Sequence, residues 1–271
     1  MPLIDPVLLK TRLGTQAGRF DVDALAACDS TSSELLRRAE RGAPSGTVIV
    51  ADEQSAGRGR RGRQWLSGPA SSLTFSLLWR IPGSAAGLSG LSLAVGVAVA
   101  RGLESLGARG VRLKWPNDVL FENDRVNSAQ LGDKFAKLAG ILIELSSDRR
   151  GVQVCIGIGL NLQTPEAELA QAAAGLDQTL AGPVDRHAVL AAILLALIEV
   201  LDTFAVNGFA GLKNEWQSRH AWQDHPVHLL ADGEHSRSGI CRGVDDDGAL
   251  LLETSVGIER ILAGDLSLRA A

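Results

Sequence analysis

Gly57-Arg58-Gly59-Arg60-Arg61-Gly62-Arg63 is the stretch on which the reading of this chain turns. Four arginines in six positions, interleaved with glycine, cannot belong to a core element. Glycine lets the backbone approach a ligand closely, and arginine offers a planar fork for carboxylate and phosphate oxygens. On this loop alone, a solvated charge run or a nucleic-acid patch accounts for the residues equally well. The net charge of −4 tells against nucleic acid, because phosphate contacts need a basic surface. Nor is the stretch a disordered tail. A β-branched run at 47–51 precedes it and Trp65 closes it, so 54–68 reads as a loop between that strand and another at 73–80.

Further out, Thr31-Ser32-Ser33-Glu34 has capping-box spacing, and Leu35, Leu36 and Ala39 follow at helical intervals. A helix over 32–41 is expected, ended by Gly42 and Pro44. Residues 88–106 are apolar on most faces and predict a buried helix, and 186–206 predict another. Short strands are expected at 111–115, stopped by Pro116, and at 138–145 and 152–158. Between them, 119–137 is polar and contains glycine, the signature of a mobile excursion. From Pro226, strand-like runs at 227–230, 239–244 and 249–253 alternate with turns at Asp232-Gly233 and Asp247-Gly248, a small β-barrel pattern. A composition shift near Gln223 divides the chain into an expected large domain, 1–222, and a small one, 223–271.

Apolar residues at 45% and charged residues at 21% match a soluble globular protein. The N-terminus carries Asp5 and no basic-then-apolar run, so no signal peptide is expected. The apolar stretch 189–201 is interrupted by Glu199 and is too short to span a bilayer. Cys28, Cys155 and Cys241 are odd in number and far apart, which indicates neither a disulfide framework nor a zinc cluster. They read as small buried apolar residues in a reducing cytoplasm.

Three other segments could carry chemistry. Lys114-Trp115-Pro116-Asn117-Asp118 brings a lysine, an amide and a carboxylate to a strand end, which suits a nucleotide with its magnesium ion; the plain alternative is a polar turn around a core tryptophan. Lys137-Leu138-Ala139-Gly140 sets a lysine directly before a buried strand. Gly157-Ile158-Gly159-Leu160-Asn161 is half of a dinucleotide fingerprint with no third glycine and no helix following at once. There is no G-x-S-x-G elbow, and all five histidines lie in the C-terminal third, so neither a nucleophilic triad nor a metal site is expected.

Taken together and in order, Asp29-Ser30-Thr31-Ser32, Gln54 through Arg63 with Trp65, Lys114 to Asp118, and Lys137 to Glu144 with Gly157 to Asn161 resemble the biotin–protein ligase family. The resemblance runs over 28–269, nearly the whole chain. It implies an α+β fold: a central mixed β-sheet catalytic domain of the biotin/lipoate ligase type plus a small C-terminal SH3-like β-barrel. It also implies an ATP-dependent, AMP-forming ligase that makes biotinyl-5′-AMP and passes biotin to a lysine of a biotin carboxyl carrier protein, with ATP, Mg2+ and biotin as its small molecules.

Residue by residue, Ser30 and Thr31 match the pair that hydrogen-bonds the ureido ring of biotin, and Ser32 stands where members often have Asn. Gln54 matches the ring's other side. Arg58, Gly59 and Arg60 match the loop that folds over the biotin acid and the adenylate, with Arg61 and Arg63 on the nucleotide side and Trp65 packed against it. Lys137 matches the lysine beside the biotin carboxylate and forms, with Arg60, the expected catalytic pair. Gly140, Gly157 and Gly159 belong to the biotin pocket; Lys114, Asn117, Asp118, Asn161 and the cap's Arg269 belong to the nucleotide.

Two departures stand out. The interval 119–136, broken by Asn123, Asn127 and Gly132, is longer than the family's hairpin, which makes Lys134 a competitor for the role of Lys137. Many members also carry an N-terminal winged helix-turn-helix; with 27 residues before Cys28, no DNA binding, no repression and no membrane partner are expected here. Members of that family often dimerise sheet edge to sheet edge, which admits a homodimer here, although the sequence does not give the oligomeric state. The rivals are a lipoate ligase or octanoyl transferase on the same scaffold, a non-catalytic biotin sensor, and a nucleic-acid-binding protein using the arginine loop.

Overall fold

The computed structural model describes residues 2–81, 85–124, 126, 131–148, 151–165, 171–231, 234–264 and 266–271. The expected turn at Asp232-Gly233, and Asn127 within the long interval, lie outside them. Twelve strands are described: β1 (Asp21–Cys28), β2 (Thr47–Gln54), β3 (Ser72–Ile81), β4 (Val111–Lys114), β5 (Asp118–Glu122), β6 (Phe135–Asp148), β7 (Gly151–Asn161), β8 (Pro226–Ala231), β9 (Glu234–Val244), β10 (Leu250–Thr254), β11 (Gly257–Ile261) and β12 (Leu266–Ala270). The α-helices are α1 (Pro6–Leu13), α2 (Thr31–Glu40), α3 (Leu91–Ser105), α4 (Arg186–Asn207) and α5 (Lys213–Ser218).

Among the described residues, the first seven strands form one mixed sheet in the order β1-β2-β3-β7-β6-β5-β4, parallel only between β1 and β2. Alternation along each strand divides side chains between the two faces. On one face Leu73, Phe75 and Leu77 of β3 lie beside Leu160, Ile158 and Ile156 of β7, and α1, α3 and α4 cover them in one continuous core. On the other face Leu78 and Cys155 pack with Leu35 and Ala39 of α2 in a small separate cluster. The rest of that second face is the site. Burying each large aliphatic side chain of the main core contributes roughly 1.5–3 kcal/mol.

α4 starts on the carboxylate of Asp185, which accepts from the N–H groups of His187 and Ala188. It is long and apolar enough to cross a bilayer, yet it lies against α3, where Gly102 brings the two backbones together; a Cβ there would sit 2.9 Å from the Ile193 backbone.

Several expectations change. The 119–137 stretch is not an excursion throughout: 118–122 and 135–137 are strand, because Val119 and Leu120 are fully buried between β4 and β6. Residues before Cys28 form α1, a 3-10 turn and edge strand β1, none of which was expected. The capping box is not formed either. Ser30, not Thr31, is the N-cap of α2, and Glu34 pairs with Arg37 and Arg38.

The C-terminal strands form an antiparallel sheet in the order β11-β10-β9-β8-β12. It is fastened to the large sheet by the Trp115 indole N–H, which donates to the Gly248 carbonyl at 3.1 Å, and by the Ser89 hydroxyl on the Asp247 carbonyl at 2.7 Å. The connecting segment covers the outer edge of β4: Leu113 N–H donates to Arg219 and Ala221 N–H to Leu113.

Candidate active site

The floor of the site follows from register. Across β3, β7 and β6, Ser76 lies beside Gly157 and then Leu142, and Thr74 lies beside Gly159 and then Gly140. Both glycines of β7 therefore face α2, and with Gly140 they leave a trough where side chains would stand. A Cβ on Gly157 would reach Ser32 Oγ at 2.7 Å, one on Gly159 would strike the Trp65 ring at 2.3 Å, and one on Gly140 would meet Lys137 Nζ at 3.2 Å.

Ser30, Thr31, Ser32 and Gln54 close one end of this trough. The Ser30 side chain makes no cap hydrogen bond to α2, so its hydroxyl is left for the cavity. Thr31 donates through its backbone N–H to Gln54 Oε1 at 2.8 Å, while its Oγ1 lies 3.2 Å from that oxygen and 2.8 Å from Ser76 Oγ. Ser32 Oγ is 3.0 Å from Ser76 Oγ. Ser76 escaped the sequence reading, since one serine in an apolar strand carries no signal of its own.

The glycine–arginine stretch is a narrow hairpin rather than an open loop. Trp65 N–H donates to Gly57 at 2.9 Å and Gly59 N–H to Arg63 at 2.7 Å, around a turn in which Arg61 takes φ 62°. A Cβ on Gly57 would sit 2.4 Å from the Trp65 carbonyl oxygen, so this close approach requires glycine. Arg58 pairs with Glu144 of β6 at 2.8 Å. Arg60 reaches Asn117 Oδ1 at 3.2 Å and the Gly264 carbonyl of the C-terminal sheet at 2.5 Å, closing the hairpin over the trough.

At the trough's other end, Asp118 lies between two ammonium groups: Lys114 Nζ at 2.7 Å and Lys137 Nζ at 2.6 Å. Burial alone would raise this carboxyl, but the two lysines hold it well below the usual carboxylate range. Lys114 is 2% exposed; burial pushes it down to about 8 against the pull of Asp118, with Arg269 adding to the lowering. Lys114 also faces the Trp222 ring at 5.4 Å, and Lys137 the Trp65 ring at 5.7 Å. With both carboxylate oxygens on lysines, Asp118 is a counter-ion and not an open metal ligand. Among the described residues no cluster of three His, Cys, Asp or Glu side chains could hold a metal.

Lys137 and Trp65 also line a second cavity, together with Arg63, Asn161, Gln163, Thr164, Gln171 and Arg269. Asn161, expected on the nucleotide side, lines this second cavity. Its amide donates to the carbonyls of Lys137 and Ala174, both at 3.2 Å, and anchors 172–174 beside the start of β6. Burial lowers the Arg269 guanidinium, with Asp118 opposing.

The residues named from sequence thus gather in two joined cavities: Ser30, Thr31, Ser32, Gln54, Arg58, Gly59, Arg60, Arg61, Lys114, Asn117, Asp118, Gly140, Gly157 and Gly159 in the first, Asn161 and Arg269 in the second, and Arg63, Trp65 and Lys137 in both. Lys134 ends a 3-10 turn and lines neither. Leu266 and Ser267 of β12 line the first cavity and were not foreseen. Among the described residues, seven cationic side chains and a single carboxylate line the two cavities, a setting for anions.

Residues 25–161 match the biotin/lipoate A/B protein ligase family, and residues 225–269 match the biotin protein ligase C-terminal domain. The chain is 37% identical over 265 residues to the bifunctional ligase/repressor BirA of Salmonella typhimurium, a match covering 96% of this chain and 78% of that protein. It is 35% identical over 254 residues to the biotin–[acetyl-CoA-carboxylase] ligase of Paracoccus denitrificans, covering 89% and 98%. A solved structure of biotin protein ligase from Aquifex aeolicus in complex with biotin and ATP matches with a TM-score of 0.76 at 32% identity, covering 93% of this chain and 99% of that one.

Proposed function

This chain belongs to the biotin/lipoate A/B protein ligase family, and on that premise we propose how its two joined cavities divide the work. It activates biotin with ATP to biotinyl-5′-AMP and transfers the biotin to a lysine of a carboxylase carrier protein. The observation that carries the division is that a trough ended on one side by hydroxyls and an amide runs at its other end into a cluster of cations, which continues past Lys137 and Trp65 to Arg269 in the second cavity.

In this reading the ureido ring lies against Ser30, Thr31, Ser32 and Gln54 near the backbone of Gly157, with Trp65, seated on Gly159, beside it. The carboxylate end comes to Lys137. ATP takes the second cavity, with Arg63, Asn161 and Arg269 on its side and Lys114 at the junction of the two. A biotin carboxylate oxygen attacks the α-phosphorus and pyrophosphate leaves. Two anions have to meet for this, and Arg58, Arg60 and Lys137 offset their repulsion; removing one such preorganised donor typically costs roughly 3–4 kcal/mol of barrier. The acceptor lysine's amine then attacks the acyl carbon and AMP leaves, so no enzyme nucleophile is needed. Among the described residues no group of three metal-ligating side chains occurs, and the Mg2+ expected with ATP would be carried on its phosphates.

The hairpin 57–65 keeps the mixed anhydride from water. The acceptor, or a second copy of the chain in a homodimer, has a strand edge to join. β5 pairs with β6 only as far as Gly140, and among the described residues no strand pairs with 142–146 on that side. The free thiols of Cys28, Cys155 and Cys241 suit a reducing cytoplasm.

Incubation with ATP and either labelled biotin or labelled lipoate, without acceptor, tests the assignment. Biotinyl-adenylate is the expected product; lipoyl-adenylate alone would replace this reading with the lipoate ligase.

A further inference from the structure

On the α2 side of β3, the first three residues are hydroxyls, Ser72, Thr74 and Ser76, before Leu78. The Thr74 hydroxyl is used by the sheet itself, donating to the Ala51 carbonyl at 2.9 Å. Ser76 is different. It is fully buried, stands behind the cavity wall rather than on it, and touches both Thr31 Oγ1 and Ser32 Oγ.

Proton accounting gives these contacts a direction. The Thr31 backbone N–H can only donate, so the Gln54 atom 2.8 Å away is the carboxamide oxygen. That oxygen can only accept, so the Thr31 hydroxyl, 3.2 Å from it, gives its proton there. The other neighbour of Ser76, the Cys155 thiol, gives its own proton to the Ser32 carbonyl and is the weaker acceptor, so Ser76 donates to Thr31 Oγ1 and, its one proton used, accepts from Ser32. The chain runs Ser32 to Ser76 to Thr31 to Gln54, with every hydroxyl proton turned along it and away from the cavity. What Thr31 and Ser32 present inward is lone pairs.

We propose that Ser76 is a positioning residue that, together with Gln54, holds the Thr31 and Ser32 hydroxyls as acceptors, and so selects a ligand whose buried end offers N–H donors. This rests on the biotin reading above: the ureido ring supplies two such N–H groups, whereas a dithiolane ring supplies none. Ser76 acts through Thr31 and Ser32 and does not touch the ligand. Without it, the Ser32 proton loses its acceptor and is free to rotate into the cavity, where it opposes an N–H, while Thr31 keeps only Gln54 to hold its proton.

The test compares wild type with Ser76→Ala by calorimetric titration against two ligands: biotin, and a biotin analogue in which one ureido N–H is replaced by oxygen. Wild type should prefer biotin. In Ser76→Ala, biotin binding should weaken roughly ten-fold while the analogue weakens by less than about three-fold, so that the preference collapses. Ser76→Thr, which keeps a hydroxyl at the position, should retain the preference. Equal weakening of both ligands would mean a merely structural role and overturn the proposal, as would unweakened biotin binding. Failure of the wild type to bind biotin at all would instead overturn the functional reading beneath it.

Discussion

Asp118 is the residue on which the charge arrangement depends. Its carboxylate, 8% exposed, holds Lys114 and Lys137 together at the junction of the two cavities. Breaking a buried pair by removing one partner leaves an uncompensated charge, which costs about 3–5 kcal/mol. Asp118→Asn should therefore lower unfolding stability by that amount in urea titrations; a loss below about 1 kcal/mol would show the lysines to be solvated without it. A glycine makes the complementary point. Gly159→Ala must move Trp65, whose ring lies 2.3 Å from the new methyl position, and adenylate formation should fall at least roughly ten-fold. Gly182→Ala, where a Cβ meets nothing within 4 Å, should leave the rate as it is. Equal rates for the two variants would show that Trp65 is not held against the floor.

Among the elements, the arginine hairpin and the segment along β4 matter most. Arg60 bridges Asn117 and the Gly264 carbonyl. Arg60→Gly should open the hairpin and release biotinyl-adenylate, labelling bystander lysines on an added unrelated protein; labelling confined to the carrier would contradict this. His220, on the segment covering β4, stacks on Trp216 at 4.5 Å and is 6% exposed. Burial pushes it down to about 3 from its ordinary 6.5. The unfolded chain takes up a proton below about pH 6.5 that the folded chain refuses, so stability falls as pH drops from there toward 3. His220→Phe should flatten the fall in Tm between pH 7.5 and pH 5; an unchanged slope would place the acid sensitivity elsewhere.

Element by element, legibility in the sequence followed chemistry more than shape. The arginine hairpin stood out because no core tolerates its composition, whereas β5 was hidden by the polar residues around it. α1 is short with weak amphipathic contrast, and β1 is an edge strand whose exposure does not alternate, so neither carried a periodic signal.

At the scale of the whole molecule, the two sheets close one site. Arg269, Leu266 and Ser267 come from the C-terminal sheet, and the Gly264 carbonyl there holds Arg60 of the large one. Which residues share a cavity was legible for those carried by distinctive motifs. Ser76 and the strand pairing that sets Gly157 and Gly159 beside it were not, because register is a property of the folded sheet. The division of one reaction between the trough and the cation-lined cavity is tested most directly by intact-mass spectrometry. A biotin carboxyl carrier domain is incubated with the protein, ATP and biotin, in parallel with the Lys137→Ala variant. The account predicts a gain of one biotin, less one water, on a single carrier lysine with the wild type, and loss of that gain with the variant. An unmodified carrier with the wild type, or full biotinylation by the variant, would contradict it.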